Sequence, residues 1–220
     1  MKKSLNAQNR PKFSIIRYVT YDKGNEFQYS NFLLRYYNYT ISRNGAPEEH
    51  GDSFSDDYYT NLIKNDTVKF IKNHKNDTTP LFMVVAPPAP HQPWDADPKY
   101  EKLFDDVHAS DYVPKEQYNQ YKTDGHWLLR AAQNPMSSNS TNWADKAFRG
   151  RWATLKSVDD MVEDIYNALK DTGKLDETFI IFTSDHGYHT GQFRNKFIRS
   201  STSKSEISDE SSLIWSKFAL

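Results

Sequence analysis

Two short apolar runs constrain this chain most. Leu81-Phe82-Met83-Val84-Val85-Ala86 and Phe179-Ile180-Ile181-Phe182 each lead directly into a histidine-bearing loop. Continuous apolar runs of this length suit strands covered on both faces, as in a parallel sheet flanked by helices. Between them Phe148, Trp152, Leu155, Val158, Val162, Ile165 and Leu169 recur at steps of 4, 3, 3, 4, 3 and 4. That spacing predicts one long helix with a single apolar face, closed by Gly173 as its C′ residue. Strand, helix and strand in this order predict an α/β fold. Ligand sites of open α/β sheets form at the carboxyl ends of the strands. His91 after the first run and Asp185-His186 after the second are therefore expected at one edge of one sheet.

The flanking sequence is read by the same rules. Residues 1–12 are polar and basic and read as a loose end. Residues 14–21 and 32–40 are rich in β-branched and aromatic side chains and read as strands, and Asn44-Gly45 as a turn. Ser55-Asp56-Asp57 marks a helix start, followed by Tyr59, Ile63, Thr67 and Phe70/Ile71 at helical spacing. Residues 95–143 are mostly irregular. The last stretch, 194–220, is serine-rich and loses the hydrophobic pattern, which predicts disorder.

Composition excludes several classes of function. The 220 residues carry 28 Lys and Arg against 29 Asp and Glu, without the basic excess of a nucleic-acid binder. No cysteine is present, so these residues encode no disulfide, no thiolate metal site and no cysteine nucleophile. No apolar run approaches the length of a membrane-spanning helix. The N-terminus is basic but has no apolar core, so no signal peptide is expected in it.

Four motifs carry candidate chemistry. Asp185-His186-Gly187 at the end of a strand sets a carboxylate and an imidazole where a divalent cation can bind; the alternative is an aspartate capping a turn beside a packed histidine. His91 lies in Pro-Ala-Pro-His-Gln-Pro-Trp, where proline restricts the backbone and keeps an imidazole aimed; a surface histidine in a stiff loop is the alternative. His126-Trp127 fits either sugar stacking or a buried aromatic corner. Asp159-Asp160 are successive helical residues that face different directions, so they read as salt-bridged or solvated, not as a catalytic dyad. Sequons begin at Asn38, Asn65, Asn76 and Asn139, where about two or three would arise by chance.

Five segments in order carry a resemblance. They are Tyr36-Tyr37-Asn38-Tyr39-Thr40, Pro88-Ala89-Pro90-His91-Gln92-Pro93-Trp94, His126-Trp127-Leu128, the stretch 151–160, and Thr183-Ser184-Asp185-His186-Gly187-Tyr188-His189-Thr190-Gly191-Gln192-Phe193. Together they resemble the sulfatase family, in particular its glucosamine-6-sulfatase branch, with the heparan-sulfate endosulfatases as near relatives. The resemblance implies an alkaline-phosphatase-like α/β fold, a mostly parallel sheet flanked by helices, incomplete over these residues. It also implies one bound Ca²⁺ and hydrolysis of a sulfate ester on a glucosamine of heparan or keratan sulfate, in the lysosome or outside the cell. Asp185 matches a metal-ligand position, and His186 stands at a further one where the glucosamine-6-sulfatases usually have Asn and the endosulfatases His. His91 matches a catalytic histidine that contacts the sulfate, and His189 and Lys196 fall where substrate contacts are expected, Lys196 out of register.

The pattern also departs from the family. Sulfatases attack sulfur with a formylglycine hydrate made from the cysteine or serine of a Cys/Ser-x-Pro-x-Arg motif, and neither cysteine nor motif occurs here. The paired aspartates that complete the calcium site are missing as well. Residues 13–193 therefore read as part of a sulfatase catalytic domain, inactive alone, followed by a divergent tail. A non-catalytic glycosaminoglycan-binding pseudoenzyme is the alternative, and a two-zinc phosphodiesterase of the same superfamily is the less favoured one.

Overall fold

A computed structural model describes residues 12–14, 36–78, 80–121, 123–125, 127, 130, 134–184 and 186–194. It divides into two compact units. The first comprises Met1–Glu101 and Ala153–Thr178, the second Lys102–Trp152 and Phe179–Leu220.

In the first unit, β1 (Lys12–Ser14) pairs in parallel with β4 (Leu81–Met83), Phe13 opposite Phe82. A hairpin joins β2 (Thr40–Arg43) to β3 (Ala46–Glu49), with Arg43 opposite Ala46. Its turn is Asn44-Gly45, both with positive φ (53° and 90°), as the twist of a two-residue hairpin demands. Two helices follow, α1 (Phe54–Asp57) and α2 (Tyr59–Asn73), separated where Tyr58 takes an extended conformation. Arg43 Nη1 bonds Asp66 of α2 at 2.7 Å and so ties hairpin to helix, while its guanidinium holds the Glu48 carboxyl below the usual range.

After a short helix, α3 (Ala109–Tyr112), the long helix, α4 (Ser138–Asp171), starts ten residues before the apolar periodicity that begins at Phe148. Ser137 Oγ accepts the Ser140 amide and caps it, an N-terminal signal without apolar character. At the other end Gly173 N donates to Lys170 O and Lys174 N to Leu169 O, with Gly173 at φ 68°, the Schellman closure expected of a C′ glycine. Residues 153–171 of α4 count with the first unit. There Val158 and Met161 meet Tyr39, Ile41, Tyr59 and Ile63 in one core cluster. Ala168 and Leu169 meet Ile71 in a second.

Several expectations are corrected. Of the strand expected over 32–40, residues 32–35 lie outside the described residues, residues 36–38 form bends, and β2 begins at Thr40. Lys12, read as part of a loose end, lies in β1; residues 15–21 and the serine-rich stretch 195–220 lie outside the described residues. The first apolar run forms a strand of three residues, and Phe82 and Val84 are exposed. The second forms no strand at all. Phe179 is 93% and Ile181 73% exposed. A strand covered on both faces needs ladder partners and helices on either side, and among the described residues one parallel pair exists, β1 with β4. The shared sheet edge for His91 and Asp185-His186 is thus not formed by the described residues. On α4, Trp152 and Val162 are exposed although they belong to the predicted apolar face, because Ala153, Thr154 and Ser157 take the buried positions instead.

Candidate active site

His91 belongs to the first unit. It follows β4 in a turn closed by its own amide on Pro88 O at 2.9 Å. Its carbonyl accepts the buried Tyr36 hydroxyl at 2.9 Å and the Trp94 amide at 3.3 Å. Its Nδ1 donates to Gln92 O at 2.5 Å, since a carbonyl oxygen can only accept. The imidazole is half-buried. Tyr36 stacks on Tyr58 with ring centroids 5.9 Å apart, and the Tyr58 hydroxyl donates to Asp95 O at 3.1 Å. Two buried tyrosines therefore brace the loop at His91 and at Asp95 beyond it. Burial pushes the Tyr58 phenol up, so it stays protonated and able to donate. Neither was expected to serve the site. Tyr36 lies in the run read as strand and was marked only by the resemblance at Tyr36-Tyr37-Asn38-Tyr39, and Tyr58 carried no signal.

Behind that loop Asp160 of α4 takes Lys99 Nζ at 2.6 Å and Tyr100 Oη at 2.8 Å. Its neighbour Asp159 takes Lys156 Nζ at 2.8 Å. The two aspartates have separate partners, as their positions on successive helical residues require.

His186 and His189 belong to the second unit. Ser184 Oγ donates to His186 O at 2.8 Å and His186 Nδ1 to Gly187 O at 2.9 Å. Burial pushes the His189 imidazole down, so it is neutral at neutral pH. The Tyr188 ring between them lies under the Arg151 guanidinium, 4.1 Å from its centroid, and stacks on Trp143 at 6.5 Å. Beyond it, Asn119 N donates to Gly191 O at 2.9 Å and Phe193 N to Gln117 O at 2.7 Å. Asp185, Lys196 and His126 lie outside the described residues. Trp127 is 60% exposed, which removes the buried-corner alternative for that ring.

Among the described residues no group of three or more His, Cys, Asp or Glu could hold a metal ion. Ca²⁺ takes six to eight oxygen ligands, and His186 offers nitrogen. The described residues do not make up a calcium site.

A family model described as Sulfatase matches residues 6–217. Human N-acetylglucosamine-6-sulfatase is 46% identical over 160 residues, 72% of this chain and 28% of that protein. The chain belongs to the sulfatase family. The Drosophila melanogaster extracellular sulfatase SULF-1 homolog is 40% identical over 161 residues, 72% of this chain and 14% of that one. Among solved structures, a Bacteroides fragilis chain described as the sulfatase yidJ superposes with a TM-score of 0.57 at 18% identity, covering 74% of this chain and 32% of that one. This sulfatase chain therefore shares the α/β fold of its relatives while spanning less than a third of each of their lengths. No helix of the described residues is long and apolar enough to cross a membrane.

Proposed function

We propose that these residues form part of a glycosaminoglycan sulfatase that hydrolyses the 6-sulfate ester of glucosamine units in heparan or keratan sulfate. The observation that carries this reading is the 46% identity to N-acetylglucosamine-6-sulfatase. With no cysteine among them, these residues contribute groups that bind and orient, not the formylglycine precursor. His91 meets the sulfate, where an imidazole aimed by Tyr36 and Gln92 offsets developing charge or passes a proton to the leaving oxygen. His189, neutral through burial, offers a hydrogen bond to the sulfate or a sugar hydroxyl without adding charge. Lys196 supplies a cation for an anionic substrate. Asp185 and His186 contribute to a metal site, with Ca²⁺ as the ion of the reading.

The reading includes passage through the secretory route to a lysosomal or extracellular destination. Asn38, Asn65, Asn76 and Asn139 are all exposed, as glycan acceptors must be. Glycopeptide mapping of the native protein is expected to find glycan on at least one of them.

The deciding experiment is release of inorganic sulfate from N-acetylglucosamine 6-sulfate by the native protein and its His91→Ala variant. Release that the substitution reduces by 10²-fold or more supports the reading. Sugar binding without release supports the non-catalytic alternative. Neither binding nor release overturns both.

A further inference from the structure

We propose that Trp143 and Arg151 are positioning residues that clamp Tyr188 and thereby set the loop carrying His186 and His189. This rests on the reading above that the loop faces substrate.

Trp143 and Arg151 stand eight residues apart on α4, about 12 Å along its axis. Both converge on the same phenol ring, Trp143 stacked at an interplanar angle of 23° and Arg151 with its guanidinium 4.1 Å from the centroid. The Tyr188 ring thus contacts both an aromatic plane and a cation, pairings its quadrupole favours. Tyr188 lies in sequence between the two candidate histidines, so fixing its ring fixes the backbone that carries them. The loop has a second fastening downstream, through Gly191 and Phe193 to the 117–119 segment. Upstream it has no strand to hold it, since residues 179–182 lie outside every ladder among the described residues. The clamp therefore acts on the residue lying between His186 and His189, beside the Ser184 Oγ bond to His186 O. Trp143 carried no sequence signal, and Arg151 stood out only within the stretch 151–160.

The experiment combines hydrogen exchange at the amides of residues 187–193 with the affinity of the protein for N-acetylglucosamine 6-sulfate. Both are measured for the native sequence, Arg151→Ala, Trp143→Ala and the conservative Arg151→Lys. A partly exposed cation–π contact is worth about two- to fivefold in a local equilibrium. Arg151→Ala is expected to raise exchange in that loop about two- to fivefold and to weaken sugar binding by a similar factor. Exchange in residues 61–71 of α2 is expected to stay unchanged, and Arg151→Lys to recover most of both effects. Unchanged loop exchange in Arg151→Ala and Trp143→Ala overturns the clamp. Faster loop exchange with unaltered sugar affinity overturns the positioning role and leaves a structural one. Failure of the native sequence to bind the sugar defeats the functional reading instead, and the exchange result still decides whether the clamp exists.

Discussion

Gly191→Ala tests whether the close approach of two segments in the second unit is real. Gly191 is buried at φ 110°, a backbone conformation that disfavours a side chain. A Cβ there falls 2.5 Å from Tyr118 Cε2, 2.9 Å from Cδ2 and 3.4 Å from Met136 Cε. Carbon atoms pack best at about 3.5–4.0 Å, so the ring must shift by about an ångström. Tyr118 cannot yield freely, because its neighbour Asn119 donates to Gly191 O and Tyr118 itself is bridged to Gln192. Backbone strain costs about 1–3 kcal/mol and overpacking about 1–3 kcal/mol, a total of roughly 2–6 kcal/mol. Urea unfolding followed by tryptophan fluorescence reads this as a fall in midpoint at unchanged slope. Adding Tyr118→Ala relieves the overlap but not the backbone strain. The double variant is therefore expected to lose about 1–3 kcal/mol less than the two single losses summed. A Gly191→Ala protein within about 0.5 kcal/mol of the native sequence refutes the packing, and strict additivity refutes Tyr118 as its cause.

Three further outcomes follow from the same structure. Ile63, 1% exposed in the first core cluster, is expected to cost about 2–5 kcal/mol when changed to Ala, whereas Val162→Ala on the exposed side of α4 costs less than about 0.5 kcal/mol by the same unfolding measurement. Tyr36→Phe removes the hydroxyl bonded to His91 O and is expected to cost about 1 kcal/mol, with faster hydrogen exchange at residues 91 and 94. His108 Nδ1 bonds Asp145 at 2.7 Å, and that carboxylate raises the imidazole above its usual 6.5, helped by Asp111 and opposed by Arg149. Because the folded state binds this proton more tightly, its stabilisation is full below pH 6.5 and disappears as pH rises through the raised value. The urea midpoint of the native sequence should therefore fall across that window relative to His108→Gln; parallel profiles would rule the contribution out.

Local pattern made much of the helical architecture legible. The Asn44-Gly45 turn, the α2 periodicity through Tyr59, Ile63 and Thr67, and the Gly173 closure of α4 each rest on interactions within a few residues, so spacing alone reveals them. The start of α4 was missed because Ser137 caps a polar first turn that carries no apolar face. The strands fared worse. Whether an apolar run becomes a buried strand depends on ladder partners far away in the chain, and residues 179–182 show that the run itself cannot supply them.

The candidate site divides in the same way. Its chemistry was set by sequence: His91 between prolines, Asp185-His186-Gly187, His189, and a family pattern that needs only residue type and order. Tertiary structure alone decided what holds these groups. Tyr36 reaches the His91 carbonyl across 55 residues, and Tyr188 is gripped by Trp143 and Arg151 from a helix that sequence marked only for its apolar face. Hydrogen bonds and ring contacts between distant segments leave no periodic trace, because each needs a single side chain in the right place. Residue identity thus determined which chemistry the chain carries, and packing determined which way that chemistry is aimed.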